Sequence, residues 1–535
     1  MTTARACSYP NFFLLLSLSA LACSQPAQEA PPPVAEAQAA EVAWFHGTPE
    51  QAFAEAKKLG KPLFLYWGAE WCPPCHYLKD KIFTQPGFVE RSREFVAVHL
   101  DGDDESAQSL GEQLDVQGYP TVMVYSADGD ELLRMPSDVP VSRYAAIMQR
   151  ALRLDRPVRE ILEQTLAIGP AAADGDDLDV LAYYSWAQDS QVQLADELRL
   201  ATFRRLWQET PAEQRAVRSR FLGLYVGEAS RLASEAAEGD APALSAAQRG
   251  QLSAAMLELL GDPELCRENV FDVSYGAQPV ITLLQPEPGA ERTALMDAWG
   301  KAARRFELDE ELSTDDRLTA LAPSIDLARL AAGDDQAELA PELIARVRER
   351  VQWAVAAVSG GGELQAVLST ATALLGEVGL EQEAQQLLTD KLDDAAAPYY
   401  FISWLASLKS NAGDSEEAVA LYRQAWQAAG GRYTRFRFGS TYLRQLMDLA
   451  PESVAQVETD SLAILDELLA HDDAFALGNK LRLGQLQTAY EGWNEDGKHG
   501  QTLATIRARV QDACERFPGD GEDSQQERCR GFLAA

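Results

Sequence analysis

Basic residues are scarce in this sequence. Its 535 residues contain 47 Lys and Arg against 82 Asp and Glu, which gives a formal net charge of -35. Such an excess of negative charge repels the phosphates of nucleic acids and of anionic lipid headgroups. We therefore expect no nucleic-acid partner and no basic membrane-binding surface. The length exceeds that of one ordinary hydrophobic core, so two or more domains are expected.

The N-terminal segment also has no apolar run long enough to span a membrane. The apolar run over residues 12–21 follows Arg5 and precedes Ala22 and Cys23, which is typical of an export signal but too short for a spanning helix. The residues SALAC resemble a bacterial lipobox, in which the cysteine is lipidated. We therefore predict a signal peptide with a lipobox over residues 1–23 and lipidation of Cys23. A signal peptide that is simply cut near this cysteine is the alternative.

The segment 24–41 has almost nothing to bury, because it consists mainly of Pro, Ala, Gln and Glu. This composition predicts a disordered tether. With a lipid on Cys23, the tether would hold the folded part on the periplasmic side of a bacterial cell envelope. The only membrane contact expected is then the N-terminal lipid anchor.

Cysteine is rare as well, and two of the seven cysteines lie in the segment WCPPCH. Cys72 and Cys75 form a C-x-x-C pair, typical of a redox-active dithiol, whereas including His76 gives the C-x-x-C-H pattern of haem attachment. Covalent haem needs an apolar pocket and usually a second axial ligand, and the surrounding sequence does not resemble a small helical cytochrome. We favour a redox dithiol without cofactor or resident metal, with His76 as an exposed helical residue. A dithiol that carries Cu(I) is the alternative.

The dithiol is predicted to stand at the start of a helix. The preceding run LFLYWGA is typical of a buried strand, and apolar residues follow the motif at helical spacing. Pro73 and Pro74 fit the first helical turn, where N–H groups have no intrahelical partner. The unpaired donors of that turn stabilise an anion, so Cys72 is expected to be the nucleophilic thiolate. Cys75, one turn further on, would resolve the mixed disulfide.

The neighbouring segments complete an alternating pattern. The order is helix, strand, helix, strand, helix, strand, strand, helix, with a hairpin signal at Asp128-Gly129 between the last two strands. This order, with AKKLGKPLFLYW, AEWCPPC and VQGYPTVMVYSADGDEL, resembles the thioredoxin superfamily. The resemblance extends to exported thioredoxin-like domains such as the C-terminal domain of the bacterial thiol:disulfide interchange reductase. It covers residues 42–152 and implies an α/β thioredoxin fold.

The resemblance also implies a substrate-binding loop. Tyr119-Pro120 is expected to be a cis peptide that faces the dithiol, with backbone groups beside Pro120 pairing with an extended substrate chain. The implied substrate-binding residues are Trp71, Tyr119, Pro120 and Thr121. Packing against the motif loop is the alternative role of Trp71.

Two positions depart from the family pattern. Thioredoxins commonly have a buried Asp six residues before the first cysteine, paired with a Lys on the next strand, and here those positions are Tyr66 and about Ala97. The group that moves protons at the second cysteine is therefore open. Tyr66, Glu70, His76 and water are the candidates, and Glu70 is also interpreted as a solvated charge.

Residues 153–535 have a different character. Ala, Leu, Glu and Gln dominate, and apolar residues recur every three or four positions, which predicts an all-α domain. GLEQEAQQLL from Gly379 aligns with GDSEEAVALY from Gly413 at a shift of 34 residues, the period of tetratricopeptide repeats. We therefore predict tetratricopeptide-like repeats near 364–430, which would offer a face to protein partners, with an ordinary helical bundle as the alternative.

The remaining cysteines of the helical part have structural interpretations. Cys514 and Cys529 bracket a short loop, and a disulfide between them would stabilise the fold by about 3 kcal/mol. Cys266 is interpreted as a buried or idle thiol.

These patterns predict an envelope thiol-disulfide oxidoreductase that acts as a reductase on protein disulfides. Its expected partners are protein thiols and disulfides, together with an upstream redox partner that regenerates the dithiol. The alternative is a tethered scaffold, in which helical repeats recruit partners and the thioredoxin-like part only binds.

Overall fold

The structure of the protein is a computed structural model. It describes residues 41–136, 141–236, 244–334, 336–519, 521 and 523–534. The predicted signal peptide, Cys23 and all but the last residue of the predicted tether lie outside these residues. None of the helices in the described ranges combines the length and apolarity needed to cross a membrane.

The N-terminal part is an α/β domain. Its elements follow the predicted order, with one additional short helix and a π-helical turn (Leu78–Ile82) after the motif helix. In chain order they are α1 (Pro49–Leu59), β1 (Leu63–Gly68), α2 (Pro73–Tyr77), α3 (Pro86–Arg91), β2 (Val96–Asp101), α4 (Ala107–Gln113), β3 (Thr121–Tyr125), β4 (Glu131–Met135) and α5 (Val141–Ala151).

The four strands form one mixed sheet in the order β2-β1-β3-β4. β1 runs parallel to β2, whereas β3 is antiparallel to both β1 and β4. Tyr66 of β1 lies opposite His99 of β2 and Val122 of β3. All six residues of β1 are buried, because helices cover both faces of this central strand.

Alternate residues of β1 enter two different cores. Leu63, Leu65 and Trp67 pack on the face covered by α1 and α4. Phe64 and Tyr66 point to the opposite face, where the core continues without interruption into the helical part. The helical part therefore packs on the face that holds the dithiol, and its Leu477 also packs against the core on the opposite face.

The second part is helical, and no strand is found among its described residues. Its first helices are α6 (Val158–Ile168), α7 (Gly175–Ala182), α8 (Asp196–Glu209), α9 (Arg215–Glu235), α10 (Ala246–Gly261), α11 (Pro263–Glu268), α12 (Val270–Tyr275), α13 (Ala277–Leu284), α14 (Ala290–Leu308), α15 (Thr314–Thr319) and α16 (Ala322–Ala332). The later helices are α17 (Pro341–Ala357), α18 (Gly361–Glu377), α19 (Glu381–Lys391), α20 (Pro398–Asn411), α21 (Ser415–Ala428), α22 (Arg432–Leu449), α23 (Val454–Leu469), α24 (Leu477–Trp493), α25 (Gly500–Gln511) and α26 (Gln525–Gly531). The predicted fold class, a thioredoxin-like α/β domain followed by a helical region, is confirmed.

The internal sequence match coincides with two similar helix connections. Gly379 and Gly413 both have left-handed φ angles, of 75° and 84°, and lie in the short connections before α19 and α21. Glycine is favoured in this region of φ, where a side chain would be strained. Ala384 and Ala418, which the match also aligns, are both buried.

Polar contacts hold the helical region on the α/β domain at several places. The Asp103 carboxylate accepts hydrogen bonds from the backbone N–H and the hydroxyl of Thr434, at 2.7 and 2.6 Å. Arg528 pairs with Glu112 at 2.8 Å, and Lys81 pairs with Glu363 at the same distance. The two parts therefore share an extensive polar interface as well as a continuous core.

Candidate functional site

The dithiol stands at the start of α2. Cys72 is the N-cap residue, and its Sγ accepts a hydrogen bond from the backbone N–H of Cys75 at 3.2 Å. Pro73 and Pro74 occupy the first two helical positions, where the missing N–H groups cost nothing. Cys72 and Cys75 are joined in a disulfide, so the structure represents the oxidised form of the pair. After reduction, the N–H that points at Cys72 Sγ would stabilise a thiolate there.

A cis peptide between Tyr119 and Pro120 lies beside the motif. The rings of Trp71 and Tyr119 meet edge to face, with their centroids 5.9 Å apart. The hydroxyl of Thr121 donates to the carbonyl of Gly118 at 2.6 Å and so closes the loop around the proline. The structure thus brings the loop of Tyr119, Pro120 and Thr121 against Trp71, the residue directly before Cys72.

The disulfide is shielded from solvent. Cys72 is 1% exposed and Cys75 is fully buried. Residues of the helical region supply much of the shield, because α18 packs directly on α2. A partner protein cannot touch either sulfur while this arrangement persists.

Three residues of the helical region hold Trp71. The ring of Tyr400 stacks on the indole at 6.4 Å between centroids, and the guanidinium of Arg437 lies 3.5 Å from the centroid of the indole. The side-chain amide of Gln365 donates to the Trp71 carbonyl at 3.3 Å and accepts from the Ala397 N–H at 3.2 Å. A cation over an indole face contributes about 0.5–2 kcal/mol, depending on its desolvation.

Gln188 is bound to the cis-proline loop. Its side-chain amide donates to the Pro120 carbonyl at 3.0 Å and accepts from the Thr121 hydroxyl at 3.2 Å. Arg134 fixes the backbone of Gln188 by donating to its carbonyl at 2.9 Å. A backbone group beside Pro120, of the kind expected to receive substrate, is therefore already paired within the chain.

His76 differs from its prediction as an exposed residue. It is only 5% exposed, and its Nε2 lies 2.7 Å from the Glu70 carbonyl. Gly362 of α18 approaches it so closely that a Cβ at that position would lie 2.8 Å from His76 Nδ1. The prediction was wrong because α18, nearly 300 residues away in sequence, covers this side of α2.

A small polar cluster lies behind the dithiol, on the sheet. The Tyr66 hydroxyl donates to the Cys75 carbonyl at 3.4 Å, and burial raises the pKa of Tyr66 well above its usual value. Its ring stacks on His99, whose pKa is lowered to about 4 by burial. Burial also raises the pKa of Asp101, at the end of β2, to about 6. Asp101 is therefore a candidate proton-transfer group that the sequence did not reveal.

Glu70 and His76 have surroundings less suited to proton transfer at Cys75. Glu70 is exposed and lies 3.6 Å from the ammonium of Lys79, in agreement with its interpretation as a solvated charge. His76 directs its Nε2 at a backbone carbonyl instead of a sulfur. Tyr66 also donates to a backbone carbonyl, but that carbonyl belongs to Cys75 itself, and the charge of Asp101 acts on the Tyr66 phenol.

A cleft of about 550 Å³ borders the other side of the motif. Its walls include the two motif prolines, aromatic side chains and two carboxylates: Pro73, Pro74, Tyr77, Tyr184, Phe271, Tyr275, Asp315 and Asp316. Neither cysteine lines this cleft, so it reaches the motif helix without exposing the disulfide.

The remaining cysteines are far from the motif in sequence. Cys514 and Cys529 form a second disulfide, with their Cα atoms 5.5 Å apart. Cys266 is a buried free thiol whose pKa is raised by burial. In the described part of the chain, no group of three or more His, Cys, Asp and Glu side chains is arranged to hold a metal ion.

Part of the chain is similar to known proteins. Residues 49–152 match the family described as a thioredoxin-like domain. The chain is similar to the thiol:disulfide interchange protein DsbD 1 of Pseudomonas aeruginosa, with 28% identity over 111 residues, which cover 19% of each protein. The chain therefore spans only about a fifth of the length of this relative. A solved structure of a DsbH oxidoreductase matches with 24% identity and a TM-score of 0.20, over 24% of this chain and 96% of that one.

Proposed function

We propose that this protein is a thiol-disulfide oxidoreductase of the bacterial cell envelope that acts on protein disulfides as a reductase. The observation on which the proposal rests is the juxtaposition of Cys72 and Cys75, at the start of α2, with the cis Tyr119-Pro120 loop. The similarity of residues 49–152 to thioredoxin-like domains supports it. The domain boundary proposed at residues 152 and 153 separates the exchange unit from the helical region.

The reaction exchanges one disulfide for another. The Cys72 thiolate attacks one sulfur of the substrate disulfide, that bond breaks, and the released substrate thiolate takes up a proton. Cys75 loses its proton and attacks Cys72 Sγ in the mixed disulfide, which expels the second substrate thiolate. Two electrons pass to the substrate and the Cys72–Cys75 disulfide forms. An upstream protein dithiol must then reduce it.

The roles of the surrounding residues follow from their positions. Backbone groups at Pro120 and Thr121 would pair with an extended substrate segment, while Trp71 and Tyr119 form the adjacent aromatic surface. In the oxidised form, the side-chain amide of Gln188 donates a hydrogen bond to the Pro120 carbonyl. Substrate binding therefore requires this side chain, and the helices over Trp71, to move away.

The proposal also includes a location in the cell envelope and a partner-binding role for the helical region. A signal peptide with a lipobox, lipidation of Cys23 and the tether 24–41 would place the domain on the periplasmic side of the membrane. The similar connections at Gly379 and Gly413 support tetratricopeptide-like packing near 364–430. Such packing would present partners to the dithiol.

The burial of the disulfide favours one second candidate, a tethered scaffold. A thioredoxin-like part whose cysteines stay sealed would bind partners without exchanging electrons. The variant Cys72→Ser distinguishes the two functions, because an oxidoreductase loses exchange whereas a scaffold keeps its partners and its phenotype. A Cu(I)-carrying dithiol would instead bind one equivalent of the metal after reduction.

The first experiment is to measure the reduction potential of the Cys72–Cys75 pair by thiol trapping in graded redox buffers. A value near about -270 mV supports a reductase, whereas one near about -120 mV indicates an oxidant. Cys266→Ser is the control that leaves the pair intact. Failure of the pair to cycle in any buffer would refute the oxidoreductase.

A further inference from the structure

A largely buried cation, with no acidic partner among the described residues, packs on the residue that precedes the dithiol. The Arg437 guanidinium covers the face of Trp71, the residue directly before Cys72. Within the described residues it makes no ion pair, although Arg435 on the same helix pairs with Glu467 at 2.8 Å. Burial lowers the pKa of Arg437, but an arginine stays protonated at any physiological pH.

Such a charge is unusual in a protein interior. Removing a cation from water is costly, and buried arginines are normally compensated by a carboxylate. The groups that act most on Arg437 are the phenols of Tyr433, Tyr400 and Tyr119, which are neutral, and the cation of Arg482. In the oxidised protein, the charge of Arg437 is therefore poorly compensated.

Reduction of the disulfide would create the missing negative charge. A protein dithiol that reduces Cys72–Cys75 transfers two electrons and becomes a disulfide itself. The products on this chain are the Cys72 thiolate and the Cys75 thiol, and one proton is released to solvent. A cation close to a thiolate favours the charged form and lowers the thiol pKa.

We propose that Arg437, contributed by the helical region, is a positioning residue that holds Trp71 and stabilises the Cys72 thiolate electrostatically. The inference rests on the proposed function, since it assigns the thiolate to Cys72. It makes the helical region part of the redox site as well as its cover. Removing the charge should make the thiolate rarer and the disulfide harder to reduce.

Other charged groups near the motif also influence the ionisation of Cys72. On the α/β domain these are Glu70, His76, Lys79, Asp80, Lys81, Asp101 and Asp103, and across the interface Glu363. Lys79 and Lys81 are each paired with a carboxylate, at 3.6 and 2.8 Å. Arg437 differs from these lysines because no carboxylate in the described part of the chain pairs with it.

The test measures the ionisation of Cys72 in the reduced full-length chain. Ultraviolet thiolate absorbance is followed against pH and corrected with the Cys72→Ser variant, so that no reagent has to reach the covered sulfur. Arg437→Met keeps an apolar side chain of similar length but removes the charge, and Arg437→Lys restores it. Arg435→Gln is the matched control, because it removes a cation from the same helix.

We expect Arg437→Met to lower the thiolate fraction about tenfold at a pH below the Cys72 pKa. At a pH well above the Cys72 pKa, where the reduced form is mainly the thiolate, a tenfold destabilisation of the thiolate corresponds to a potential about 30 mV more negative. Arg437→Lys should recover most of the loss, and Arg435→Gln should leave the titration unchanged.

Equal titrations and potentials for wild type and Arg437→Met would overturn the inference and leave Arg437 a packing role. An equal shift in Arg435→Gln would do the same. If Arg437→Met does not fold, the comparison of Arg437→Lys with wild type still tests the charge, because a lysine that fails to support a normal titration contradicts it. A wild-type pair that never cycles would instead remove the proposed function itself.

Discussion

The side-chain amide of Gln188 donates a hydrogen bond to the Pro120 carbonyl at 3.0 Å. The donor belongs to the helical region and the acceptor to the cis-proline loop of the thioredoxin-like domain. The same amide also accepts from the Thr121 hydroxyl. An internal side chain thus occupies, in the oxidised protein, the position where we propose that an extended substrate pairs.

Replacing Gln188 with Ala should free the Pro120 carbonyl for substrate. A hydrogen bond contributes about 1 kcal/mol net, so we expect exchange with a protein disulfide to become about fivefold faster. Gln191→Ala is the matched control, because Gln191 lies on the same segment but donates to the Glu131 carbonyl, on β4. Slower exchange in Gln188→Ala would show that the amide supports the loop instead of competing with substrate.

Loss of the Tyr400 ring should uncover Trp71. In Tyr400→Leu the stacked contact with the indole is lost, so we expect a protein reductant to reduce the Cys72–Cys75 disulfide several times faster. Tyr399→Leu is the neighbouring control, since that ring packs on Phe438. Reduction of Cys514–Cys529 in the same samples is an internal reference. If both disulfides are reduced faster by the same factor, the substitution has destabilised the whole fold, which would contradict a specific role of Tyr400 in limiting access to Cys72–Cys75.

Asp101 should make stability depend on pH. Its pKa in the folded protein is about 6 instead of 3.8, so the folded state binds the proton more tightly than the unfolded state. This favourable contribution is present below about pH 4 and is lost as the pH rises through about 6. Asp101→Asn should therefore stabilise the protein above pH 6, by at most about 3 kcal/mol.

The measurement is the free energy of unfolding of wild type and Asp101→Asn from pH 4 to pH 8. Asp128→Asn, an exposed aspartate in the β3-β4 turn, is the control. Parallel curves for wild type and Asp101→Asn would show that the Asp101 carboxyl is not perturbed. A slower resolving step in Asp101→Asn, measured as accumulation of mixed disulfide, would support its candidate role in proton transfer.

Much of the thioredoxin-like domain could be predicted because its signals are local. The dithiol, the hairpin turn at Asp128-Gly129 and the apolar run of β1 each lie within a few residues of sequence. The surroundings of the site could not be predicted in this way. Gln365 and Arg437 reach the motif, and Gln188 reaches the cis-proline loop, from helical segments whose own sequences give no sign of where they pack. The burial of His76 depends on the long-range contact with α18.

The pairing of β1 with β2 was a further obstacle to prediction. In the sequence Tyr66 stands six residues before Cys72, but the choice among proton-transfer groups depends on the strand register. In the structure Tyr66 lies opposite His99, and Asp101 follows two residues later at the strand end. Only that register brings the Asp101 carboxyl near the Tyr66 ring.

The contact of Gly362 with α2 gives the sharpest test of whether α18 limits access to the dithiol. A Cβ at Gly362 would meet the Asp80 carboxylate and would lie 2.8 Å from Nδ1 of His76, which is buried and held through Nε2 by the Glu70 carbonyl. Gly362→Ala should therefore push α18 away from α2. We expect faster reduction of the Cys72–Cys75 disulfide in this variant, even by a small reductant.

Gly376→Ala, near the other end of α18, is the matched control. No atom lies within 4 Å of a Cβ built there, so alanine should simply stabilise the helix by up to about 1 kcal/mol. Its disulfide should be reduced at the wild-type rate. If Gly362→Ala behaves like Gly376→Ala in both stability and reduction rate, α18 does not limit access to the dithiol, and the helices over Trp71 must provide the barrier.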